Sequence, residues 1–138
     1  MGTNVIEAVG RVEAAAQKPN EEKRVVTSIE IGCAVRQGDI YLTRIPDGAA
    51  RGKELQDRQL APGTSQGSRH VVAGEGVRVF AAAGPRPELA RGALLGPIVV
   101  AEQTFTVTHP EHAHFELPAG TYQCSFQMDP RTLARVED

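Results

Sequence analysis

The sequence predicts a mainly β protein: a small barrel or sandwich of about eight short antiparallel strands, preceded by an N-terminal helix. Apolar and polar residues alternate with a period of two along several short segments after residue 24. The 14 glycines and 9 prolines fall largely between those segments, as is typical of all-β domains with many turns. The chain has 138 residues and only 4% aromatics, so we expect one domain with an aliphatic core.

The first element is an amphipathic helix over residues 4–18. Asn4 and Glu7 have the spacing of a capping box, and Pro19 ends the helix. Its apolar face consists of Val5, Val9, Val12 and Ala16. A polar linker follows, so we divide the chain into a helix-and-linker segment, 1–24, and a β domain, 25–138. The helix packs either on its own domain or on a second subunit.

The next element is a β-hairpin over residues 25–45. Alternation predicts a first strand over 25–33 and a second over 40–45. Arg36, Gln37, Gly38 and Asp39 form the turn between them.

Short strands with Gly and Pro breaks continue to the end of the chain. Residues 46–69 are the most irregular part, and we expect a functional loop there. Asp129 and Pro130 are suited to begin a last helical turn over 131–136. The predicted strands are 53–60, 70–73, 77–81, 94–100, 105–108, 114–117 and 122–128.

Charge and hydropathy narrow the classes of partner. The 15 basic and 17 acidic residues give a net charge of −2, which argues against nucleic acid as a main ligand. No apolar run reaches the roughly 20 residues of a membrane helix, and the N-terminus does not resemble a signal peptide, so we expect a cytosolic protein. Cys33 and Cys124 are either two buried thiols or one bridge.

Four histidines form the strongest candidate site: His70, His109, His112 and His114. On a strand, His112 and His114 project to one face, a spacing that suits two ligands of one metal ion. Glu111 or Glu116 could add a carboxylate, and the set suits a divalent transition metal. The alternative is that these imidazoles hydrogen-bond to the backbone and shape a turn.

Part of this cluster resembles the cupins. The segment HAHFELPAG at 112–120 combines a His-x-His strand with a Pro-x-Gly turn, and both are cupin elements. The order departs from the cupin pattern, because Glu116 follows His114 closely and no histidine follows Gly120. The resemblance implies a small β-barrel that binds a metal.

A longer part of the chain resembles a group of small, functionally uncharacterised bacterial and phage proteins. The shared order is RQGD at 36–39, GSRH at 67–70, THPEH at 108–112 and LPAGTY at 117–122. A Gly-His-x-His is common in that group where this chain has GSRH, so only His70 of that pair is present. The resemblance implies a compact β-rich fold and no particular activity.

We therefore expect a small non-catalytic binding or assembly module that contacts a protein partner, or copies of itself, through sheet edges and the N-terminal helix. The alternative is a cupin-like metal-binding protein or metal-dependent enzyme that uses the four histidines. A third hypothesis, a phage or virion accessory protein, rests on the resemblance. The sequence indicates no reaction and no substrate.

Overall fold

Two β-sheets make up the part of the chain that the structure, a computed structural model, describes, residues 22–136. The predicted helix over 4–18 lies outside these residues. Within them, the helical content is one 3₁₀ turn at Gln66–Ser68. The strands are β1 (Lys23–Val25), β2 (Ala34–Gln37), β3 (Ile40–Ile45), β4 (Glu54–Leu55), β5 (Val71–Ala73), β6 (Val77–Phe80), β7 (Leu94–Ala101), β8 (Phe105–Thr108), β9 (His114–Leu117) and β10 (Gly120–Phe126).

The strands pair as two open sheets. The smaller sheet has the order β1-β9-β8-β5, and the larger has the order β2-β3-β10-β7-β6-β4. All pairs are antiparallel except β1 with β9, which is parallel. The mainly β prediction is confirmed. The closed barrel is wrong for the described residues, because no ladder joins the named strands of one sheet to those of the other.

One apolar core lies between the sheets. Leu42, Val99 and Tyr122 reach it from the larger sheet, and Phe105 and Leu117 from the smaller. The Phe105 and Tyr122 rings meet edge to face with their centroids 5.4 Å apart. Each such buried side chain contributes about 1.5–3 kcal/mol to stability. Period-two alternation places apolar side chains on the inner face of each sheet, and their burial stabilises the packing of the two sheets.

The predicted strand over 25–33 is wrong, although the hairpin that it belongs to is confirmed over Ala34–Ile45. After β1 the chain crosses from the smaller sheet to the larger. Val26 and Ile29 pack against the core during this crossing, whereas Val25 and Ile31 are 58% and 56% exposed. The alternation of apolar residues is real, but the chain does not stay extended. Cys33 is consequently exposed, Cys124 is buried, and both thiols are free.

Two later elements also differ from the prediction. Of the predicted strand 53–60 only Glu54–Leu55 pairs in the larger sheet, and residues 58–60 instead bond to the edge of β5, with Val72 N–H donating to Arg58 O at 3.0 Å. The predicted helical turn 131–136 is absent. Asp129 does cap a turn, but Leu133 is in the left-handed region at φ 59°, so the chain folds back and Arg135 bridges to Met128. We call residues 128–136 the C-terminal strap.

Candidate functional site: a buried histidine–carboxylate network

The β2–β3 turn carries two polar residues into the interior. Gln37 pairs with Ile40, so the loop has two residues, Gly38 and Asp39. Gly38 has a φ of 59° and Asp39 has a negative φ, as in a type II′ turn with glycine at its first central position. Gln37 and Asp39 are 3% and 1% exposed. The turn formed by the RQGD motif therefore buries the amide of Gln37 and the carboxyl group of Asp39 close to each other.

Gln37 fixes the orientation of His70. Its Nε2 donates to Val107 O at 3.0 Å and to Ala113 O at 2.9 Å, so Oε1 must be the atom that faces His70. His70 Nδ1 lies 2.8 Å from that oxygen and donates to it. The Val107 and Ala113 carbonyl groups fix the orientation of the Gln37 amide, and this orientation requires a hydrogen on His70 Nδ1.

His70 and Asp39 share a buried hydrogen bond. His70 Nε2 lies 3.0 Å from Asp39 Oδ1. Burial lowers the pKa of His70 to about 4, and the His109 imidazole adds to this effect, while the hydrogen bond with Asp39 opposes it. Two lone pairs at this separation would repel each other, so the bond between Nε2 and Oδ1 holds one hydrogen.

His109 is held by backbone groups on both of its nitrogens. Nδ1 accepts from the N–H groups of Glu111 at 3.0 Å and His112 at 3.1 Å. Nε2 therefore carries the hydrogen and donates to Gly67 O at 3.0 Å. The imidazole joins the 109–112 turn to the loop that precedes His70, as the turn-shaping alternative predicts.

Three of the four predicted site residues come together. The His70 and His109 rings are 4.4 Å apart, and the His109 and His112 rings are 4.5 Å apart, centroid to centroid. His70 and His109 are buried, and His112 is half-buried. His114 takes a different position, where its Nε2 donates to His109 O at 3.1 Å. A row of three imidazoles thus runs from the interior toward the surface.

Sequence reasoning missed Gln37, Asp39 and Arg135. The Arg135 guanidinium Nη2 is 3.6 Å from Asp39 Oδ2, its Nη1 donates to Pro62 O at 3.2 Å, and its Cζ lies 5.0 Å from the Phe126 ring centroid. The RQGD motif was the available signal for the first two residues, but polar residues at hairpin turns are ordinarily exposed. Nothing in the sequence indicated that the terminal arginine returns to this turn.

The fit of a metal ion to these histidines follows from the same bonds. Within residues 22–136, no three or more His, Cys, Asp or Glu side chains are arranged to hold a metal ion. Both nitrogens of His70 and both of His109 are engaged by protein groups. Of the two predicted carboxylates, Glu116 pairs with Lys23 Nζ at 2.8 Å, and Glu111 is exposed. A metal would have to displace hydrogen bonds that now satisfy buried groups.

Comparison with known protein families places this network in context. The family model described as a domain of unknown function, DUF8820, matches residues 36–127. The chain belongs to this family. The match begins at the RQGD turn and includes Gln37, Asp39, His70 and His109, and it ends one residue before the strap. The predicted relation to a functionally uncharacterised family is confirmed. Neither the curated proteins nor the solved structures contain a significant match. The part of the chain described has no helix long and apolar enough to cross a membrane.

Proposed function

We propose that this DUF8820 protein is a small non-catalytic binding or assembly module whose contact surface is the β1–β2 side, defined as β1, β2 and the connecting residues 26–33. On this side, residues 26–33 connect β1, the edge strand of the smaller sheet, to β2, the edge strand of the larger sheet. At the edge formed by β5, residues 58–60 already bond to the strand. By contrast, β1 is exposed along its whole length, and Val25 and Ile31 present apolar side chains to solvent. Exposed edges with apolar neighbours are the usual site of strand addition or oligomer contact.

A groove beside the same surface adds to the contact area. It has a volume of about 530 Å³ and lies on the larger sheet. Gly32, Ala34, Tyr41 and Leu89 are among its lining residues. Because Gly32 directly follows the exposed Ile31, a partner that covers Ile31 can also enter the groove.

The buried network supports a non-catalytic function. Its imidazole nitrogens bond to Gln37, Asp39 and backbone groups. Such a network fixes the relative positions of the 36–39, 67–70 and 109–112 segments. A histidine that serves as a general base needs a nitrogen within reach of substrate, and His70 is fully buried.

Light scattering of the full chain tests the proposal. We expect a dimer or larger species, and a shift to monomer in the double variant Val25→Asp/Ile31→Asp. Leu133→Asp is the matched control, because Leu133 is the other large apolar side chain that the described residues expose. If the wild-type chain is monomeric at every concentration, self-assembly is wrong. Affinity capture with the wild type and the double variant as baits then tests a different protein partner, and equal capture by both would refute this contact surface.

Metal binding is the second candidate, favoured by the row of His70, His109 and His112 rings. Untagged protein should then contain Zn²⁺, Ni²⁺, Mn²⁺ or Fe²⁺, or gain thermal stability when one is added, and His112→Ala should weaken that effect. Absence of both effects would remove this candidate. A phage or virion role and a cytosolic location stay predictions.

A further inference from the structure

A buried carboxylate oxygen lies beneath the C-terminal strap without a hydrogen-bond donor. Asp39 Oδ1 is bonded to His70, but Oδ2 is buried and accepts no hydrogen bond from the described atoms. Arg135 Nη2 is 3.6 Å from Oδ2, beyond hydrogen-bond distance. A buried carboxylate oxygen without a hydrogen bond is unfavourable unless a cation lies nearby, and Arg135 supplies that cation as an ion pair with Oδ2.

The walls around Oδ2 have the composition of a guanidinium site. The Pro62 carbonyl oxygen accepts from Arg135 Nη1, and the Phe126 ring lies under the guanidinium plane at 5.0 Å. A carboxylate, a carbonyl oxygen and an aromatic face are the three groups that recognise an arginine side chain. The Arg135 side chain is only 15% exposed, so it fills the site rather than lying across it.

The family match separates the site from its occupant. Asp39, Pro62 and Phe126 all lie within the matched residues 36–127, whereas Arg135 lies beyond them. The walls therefore lie within the matched family domain, and the arginine that fills the site lies outside the matched residues.

We propose that the Asp39 site binds the arginine side chain of a peptide segment, and that Arg135 occupies it in cis as an internal ligand. A groove of about 390 Å³ also borders Pro62 and Phe126, and it gives room for the residues that flank such an arginine. Asp57 lines this groove, so a basic neighbour would be favoured. The inference goes beyond the proposed function and is independent of it, because it concerns the strap and not the exposed β1–β2 side.

Chemical rescue of the full-length Arg135→Ala variant tests the site. The variant should melt several degrees below the wild type. Guanidinium chloride at ten times its dissociation constant should raise the melting temperature by about 4 °C relative to Asp39→Asn/Arg135→Ala at the same concentration, because its general denaturing effect acts on both variants. Sodium chloride at equal ionic strength should not produce this difference. A response that is equal in the two variants, or no response to guanidinium, would overturn the proposal.

A peptide pair gives a second measurement. A labelled peptide with the sequence of residues 128–136 should bind full-length Arg135→Ala at least about tenfold more tightly than the same peptide with alanine at 135, as measured by fluorescence anisotropy. If Arg135→Ala does not fold, Arg135→Gln, which keeps a long polar side chain without the cation, replaces it in the same titration. Equal affinity for the two peptides would overturn the proposal. Neither readout depends on oligomeric state, so failure here is distinguishable from failure of the proposed function.

Discussion

Replacing Gln37 by leucine should remove the central link of the buried network. The substitution leaves three buried groups without their present partner: Val107 O, Ala113 O and His70 Nδ1–H. Each loss costs about 1–3 kcal/mol, and the apolar area that leucine buries returns only part of it. We expect Gln37→Leu to lower the free energy of unfolding by about 3–5 kcal/mol, a large share of the 5–15 kcal/mol typical of a domain.

Urea unfolding, followed by circular dichroism, measures this difference. Gln56→Leu is the matched control, because Gln56 is exposed and the same substitution there should change stability by no more than about 0.5 kcal/mol. If the two variants differ by less than about 1 kcal/mol, then Gln37 does not satisfy the buried groups as described. A changed urea dependence would instead indicate a different denatured or native state.

Three further predictions concern single side chains. Asp39→Asn should destabilise the fold less than Asp39→Leu in urea unfolding, because the asparagine side chain, unlike leucine, can still form a hydrogen bond with His70 Nε2. An equal loss in both variants would argue against a hydrogen bond between these two side chains. Burial raises the pKa of Tyr122 to about 12 from the ordinary value of 10, so its hydroxyl stabilises the fold below pH 10 and that contribution is lost as the pH rises toward 12. Titration at 295 nm and unfolding between pH 9 and 12 measure this, and Tyr122→Phe should flatten the dependence. Native protein should react with one equivalent of a thiol reagent, at exposed Cys33, and unfolded protein with two, because Cys124 is buried and burial raises its thiol pKa; two fast native equivalents would contradict this burial.

The strand pattern was predictable for the β8–β9 pair. The predicted segments 105–108 and 114–117 coincide with β8 and β9, which pair with each other through clear alternation. The segment 25–33 alternates equally well, yet it crosses between sheets. Alternation along one segment does not say which sheet it joins, since β1 pairs with residues some ninety positions away in sequence.

The candidate site was predictable only in part. The four histidines were grouped as one candidate site, and the structure brings the rings of His70, His109 and His112 into contact. His114, which the spacing placed on the same face as His112, instead bonds to His109 O. The partners that give the site its chemistry were hidden, because a glutamine and an aspartate beside a glycine turn read as solvent-facing. Their burial depends on carbonyl groups in β8 and in the 109–113 turn, which no local pattern reveals.

The position of β10 has a consequence for how the chain matures. This strand lies in the middle of the larger sheet, between β3 and β7, yet in chain order it is the last of the strands in residues 22–136. On the ribosome, the hairpin of β2 and β3 and the pair of β6 and β7 have no common neighbour until residues 120–126 emerge. The two halves of the larger sheet can join only after β10 has been synthesised, so a chain truncated before residue 120 loses the centre of this sheet and not merely an edge.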